Sequence, residues 1–105
     1  HYIFVHSWIP GGKDWRYAPQ SKWDKVMWGN PFDIAAVVGN KTGKTIVHGH
    51  WTNSYYWARE EGRSKYDDDA KFDISWHNGC IGLDACTVLS KKVNVLVLED
   101  NFLED

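Results

Sequence analysis

The sequence predicts an α/β fold of the mixed, α+β kind, mainly strands with one or two short helices. Three observations lead there. Short runs of β-branched and aromatic residues recur around positions 2–5, 45–47 and 93–98, and that composition suits half-buried strands. One stretch, 21–28, places Trp23, Val26 and Met27 on a single helical face. Gly, Pro and Asn punctuate the chain between these runs, as turns require.

Positions 1–6 read as a first strand that ends on His6, and the chain begins inside it, as a cut chain would. Positions 7–12 are a loop marked by Pro10 and the Gly11-Gly12 pair. The stretch 14–19 is polar and aromatic without a period. A short helix is expected over 21–28, with Ser21 as N-cap and Asp24 three residues on, stopped by Gly29-Asn-Pro31. Positions 32–38 mix β-branched residues with Asp33, Ala35 and Ala36, and the helical reading is preferred. Thr45, Ile46 and Val47 make a short buried strand. His48 and His50 follow, with Gly49 between them to take a positive φ or to admit a close approach. If that segment stays extended, both imidazoles share a face. The stretch 53–70 reads as a long loop. Positions 72–76 form a short strand and His77-Asn-Gly79 a turn. Positions 81–88 and 93–98 read as a hairpin joined by Ser90-Lys-Lys92, and an acidic tail runs from Glu99 to Asp105.

A length of 105 residues suits one small domain or a fragment of a larger one. The net charge of −2 offers no general attraction to nucleic acid. No apolar run is long enough for a membrane span, and no charged segment followed by an apolar one marks a secretory leader. Cys80 and Cys86 do not build a disulfide framework, so a reduced cytoplasm is expected. Seven tryptophans and five tyrosines stand out. They fill a core, line a pocket or wait for a partner.

The histidines carry the chemistry. His1 is terminal and His77 sits in a turn, so both read as ordinary hydrogen-bonded surface or core residues. His6 and His50 each end an apolar strand beside a tryptophan. Two strand-end imidazoles converging on one site can hold a divalent ion, with carboxylates or waters supplying the other ligands. Asp84 reads equally as an orienting partner or as a ligand.

Several segments fall in an order that resembles one family. They are Phe4-Val-His6-Ser-Trp-Ile-Pro10, Trp28-Gly-Asn-Pro31, Thr45-Ile-Val-His-Gly-His50-Trp, Ile81-Gly-Leu-Asp-Ala-Cys86 and Val93-Asn-Val-Leu-Val-Leu-Glu-Asp100. The set is similar to the C-terminal half of a calcineurin-like metallophosphoesterase of the serine/threonine-phosphatase-like branch. The resemblance implies the second half of a two-sheet sandwich flanked by helices. It implies hydrolysis of a phosphorylated substrate at a dinuclear site of divalent manganese, iron or zinc ions. It also implies that His6 and His50 bind one of those metals. His48 has no role in the mapping and is assigned with Asp84 to the pocket or to the groups behind the ligands. Thr52 stands where some relatives have a further histidine.

The departures are as informative. The family's Asp-x-His, Gly-Asp-x-x-Asp-Arg-Gly and Gly-Asn-His-Asp/Glu motifs are absent from these residues. They carry the bridging aspartate, the remaining ligands and the catalytic histidine, so no catalytic residue is assigned here. Trp28 is followed by Gly29 rather than the arginine some relatives carry nearby. The expected partner is therefore a missing N-terminal half or a second copy, with strand 2–5 as the open edge. The competing reading is a binding module for carbohydrate or nucleotide, with the aromatics stacking on rings and no catalysis.

Overall fold

A computed structural model describes residues 1–10 and 15–99. Gly11-Gly12, Asp14 and the tail from Asp100 lie outside the described residues. Four short strands form one mixed sheet: β1 (Tyr2–Val5), β2 (Thr45–His48), β3 (Ser75–His77) and β4 (Cys80–Gly82), in the spatial order β1-β2-β4-β3. β1 and β4 both run parallel to β2, and β3 pairs antiparallel with β4. β1 is thus an edge strand, as expected. The α/β class holds. Strands do not dominate, however, since the described residues also contain four α-helices and two 3-10 turns. The described strands make one sheet rather than two.

Register decides the faces. Ile3, Ile46 and Cys80 lie side by side, as do Val5, His48, Gly82 and Ser75, and residues two apart on a strand share a face. That face is the core. Ile3, Ile46 and Cys80 pack there with Trp8, Ile9 and Ala35 of α2. On the opposite face Val47 and Ile81 are buried in mid-sheet, while Phe4 and Trp76 at the two edges stay exposed.

α1 (Asp24–Trp28) is shorter than expected, because Gln20–Lys22 is a 3-10 turn. Ser21 sits inside that turn and caps nothing. α2 (Pro31–Val37) bears out the helical reading of the ambiguous stretch. Asn30 accepts the Phe32 and Asp33 N–H groups, and Pro31 occupies the first turn, where its missing N–H costs nothing. The Asn30-Pro31 pair therefore starts a helix as well as ending one.

Two expectations fail. The stretch read as a loop after position 53 contains α3 (Ser54–Glu61). Thr52 accepts from the Ser54 N–H, and Gly62 closes the helix in the left-handed region at φ 70. The low helix propensity of Tyr55, Tyr56 and Trp57 hid it. The hairpin expected from 81–88 and 93–98 is not formed either. β4 ends at Gly82, and α4 (Thr87–Ser90) follows between two left-handed residues, Cys86 and Lys91. Asp84 accepts the Cys86 N–H at 2.8 Å and bends the chain there. The hairpin that does form is β3–β4, turning on Asn78 and Gly79, both at positive φ, as a two-residue Asn-Gly turn requires.

Candidate functional site

The carboxyl ends of β1 and β2 lie side by side because the strands are parallel and in register. Ligand sites in parallel sheets favour that end. His6 follows β1. Gly49 and His50 follow β2, and the Gly49 N–H donates to the His6 carbonyl at 3.0 Å. The Trp51 N–H then reaches back to the Gly49 carbonyl at 2.7 Å, closing a γ-turn around His50. His50, not Gly49, takes the left-handed conformation, at φ 64. Such a turn is strained for a residue with a side chain.

The turn separates two imidazoles that an extended strand would have kept on one face. His48 points into the core, while His50 swings out against His6. The His6 and His50 rings lie 4.5 Å apart between centroids, tilted by 39°. Both residues are exposed, and their ring nitrogens make no hydrogen bond among the described residues. Trp28, at the end of α1, meets His50 edge-on at 5.6 Å. The Trp51 indole N–H donates to the Trp28 carbonyl at 3.3 Å. The Ser7 hydroxyl donates to the Gly29 carbonyl, and the Ser7 N–H to that of Val26 at 2.9 Å. The end of α1 is thereby tied to the loop that carries His6.

A second histidine pair lies behind the first. His48 and His77 face each other Nε2 to Nε2 at 2.9 Å. Phe32 packs on both rings and Tyr56 on His77. Burial, and then the neighbouring His77, bring the His48 pKa down to about 3. Burial, and then the Arg59 charge, bring His77 to about 4. Both rings are therefore neutral at pH 7, with one donating and the other accepting. The Gly49 backbone opposes the His48 shift, yet His48 Nδ1 lacks a hydrogen-bond partner. Beneath them, the Asn53 amide donates to the Gly82 carbonyl at 2.8 Å, and the Ser75 hydroxyl donates to the Asn53 side-chain oxygen at 3.3 Å.

Of the residues singled out in the sequence, His6 and His50 are brought together. His48 is a buried neighbour turned to His77, and Asp84 spends its carboxylate on the Cys86 N–H. Among the described residues no third His, Cys, Asp or Glu completes a metal-binding group, and no helix is long and apolar enough to cross a membrane. His77, expected in the turn, is instead the last residue of β3. The same Asn-Gly turn pairs it with Cys80, next to β2, and that pairing was its one available signal.

No family model, curated protein or solved structure matches this chain.

Proposed function

We propose that this chain supplies two ligands, His6 and His50, to a metal site for phosphoester hydrolysis of the metallophosphoesterase type. The observation that supports this reading is the approach of their rings, with uncommitted nitrogens, at the carboxyl ends of two parallel strands. Two imidazoles bound to one ion at about 2.0–2.1 Å would hold their ring centres roughly 4.5 Å apart at a right angle and about 5.2 Å apart at the tetrahedral angle, and the observed 4.5 Å lies at the first of these. The donor set suits zinc, iron or manganese. When bound, a divalent ion would lower the pKa of a water and neutralise phosphoryl oxygens. The chain's own part is to fix the two imidazoles. The strands set their spacing, and the γ-turn aims His50. Two ligands do not complete such a site, so the phosphorylated substrate is turned over only when further groups join from outside the described residues. These residues alone are expected to give no measurable hydrolysis of an aryl phosphate.

Zinc titration by calorimetry tests the reading. Binding should weaken at least tenfold in His6→Ala and in His50→Ala and stay unchanged in His77→Phe. Binding indifferent to both of the first two substitutions sinks it. A second reading, a ring-binding module without metal, is favoured by the exposed Trp28. Sugar or nucleoside binding that ignores zinc would select it.

A further inference from the structure

We propose that Trp28 and Trp51 form a stacking wall for the planar ring of a ligand held at the His6–His50 pair, selecting aryl or nucleobase-bearing phosphoesters over aliphatic ones. The inference rests on the metal-site reading above and adds the substrate class.

Trp28 is 61% exposed. Leaving an indole that open forgoes much of the burial its area would supply. The ring is nonetheless not adrift. It meets the His50 ring at 72°, its backbone carbonyl accepts the Trp51 indole N–H, and the turn after it is bound by Ser7. Trp51 in turn lies 6.3 Å from His50 at 87° and 4.9 Å from Tyr55. His50 therefore has His6 on one side and two indoles on others, that of Trp51 held through its N–H. Exposed tryptophans elsewhere lack this setting. Trp23 borders an apolar cleft with Ile3, Val5 and Met27, and Trp76 lies at the far edge of the sheet. Only around His50, among the described residues, do an exposed indole, Trp28, and a half-buried, hydrogen-bonded one, Trp51, meet ring nitrogens without partners. A ligand with an anionic group and a flat ring needs that combination, since stacking is tolerant of ring identity. An aliphatic phosphoester would use the imidazoles and leave the indole wet.

The test compares phenyl phosphate with butyl phosphate on the zinc-loaded chain, by affinity and by the indole N–H signals in nitrogen–proton spectra. Phenyl phosphate should bind roughly tenfold tighter and shift the Trp28 and Trp51 indole signals. Trp28→Ala should remove the preference, and Trp28→Phe should keep most of it. Equal affinities, or a preference that survives Trp28→Ala, overturn the inference and leave the metal reading standing. Zinc binding that does not depend on His6 and His50 overturns both.

Discussion

Two histidine pairs meet around the end of β2, and they are built for opposite purposes. His48 is buried and His77 half-buried, both are packed by Phe32 with Tyr56 on His77, and they close on each other at 2.9 Å. His6 and His50 are exposed, meet ring to ring at 4.5 Å and keep their nitrogens for something else. The first pair holds strands together. The second presents donors. Residue type is the same in both, so burial and nitrogen pairing decide which histidine is structural and which can bind.

The contrast can be broken by acid, and this is the largest effect expected. The folded pKa values of about 3 and about 4 lie below the ordinary imidazole value of 6.5. The unfolded chain therefore binds more protons between about pH 4 and 6.5. Stability from this pair is complete above pH 6.5 and falls as pH drops. The slope reaches at most about 2.7 kcal/mol per pH unit, less what solvent screening removes at the more exposed His77. Denaturant melts from pH 7 to 4.5 measure it. A double His48→Phe and His77→Phe variant should flatten the slope, and an unchanged slope would assign the acid sensitivity elsewhere.

Truncating the buried pair comes next. His48→Ala removes a ring from a site 2% exposed and strips His77 of its partner. It should cost about 2–4 kcal/mol, read from the urea midpoint. His6→Ala should cost under about 0.5 kcal/mol. Equal losses would erase the distinction between the pairs.

Gly82→Ala probes the support beneath them. A methyl there would collide with the Asn53 side-chain oxygen and the Ser75 hydroxyl and press on His48 Cε1 at 3.1 Å. The expected loss is about 1–3 kcal/mol. It should fall by about half in Gly82→Ala with Ser75→Ala, which removes one of the colliding atoms. No relief in the double variant would point to a different cause.

The smallest effect sharpens the comparison most. His50 holds φ 64, and relieving that strain in His50→Gly should raise stability by roughly 0.5–1 kcal/mol. The same change should lower zinc affinity. A residue that destabilises the fold while aiding binding is placed for the ligand. A stability loss in His50→Gly would instead make His50 a structural residue.

Some of this was written in the chain alone. Asn30-Pro31 and the α2 pattern, the β-branched core of β2, the Asn78-Gly79 turn and the strand-end positions of His6 and His50 are local signals, each read from a few neighbours. Other local signals misled. Tyr55, Tyr56 and Trp57 lean away from helix, yet α3 forms, closed by Gly62 and with its aromatics packed on neighbours. Val93, Val95 and Val97 have strand composition, yet they stay exposed and join none of the described strands, because burial and not propensity makes a strand. What tertiary structure alone decided is the fate of the histidines. Parallel pairing of β1 with β2 brings His6 to His50 across a long separation in sequence. The β3–β4 hairpin carries His77 onto His48. The γ-turn at His50 then sends one imidazole inward and the next outward. Spacing in the sequence cannot carry that, because a strained φ is held by contacts made from the rest of the fold.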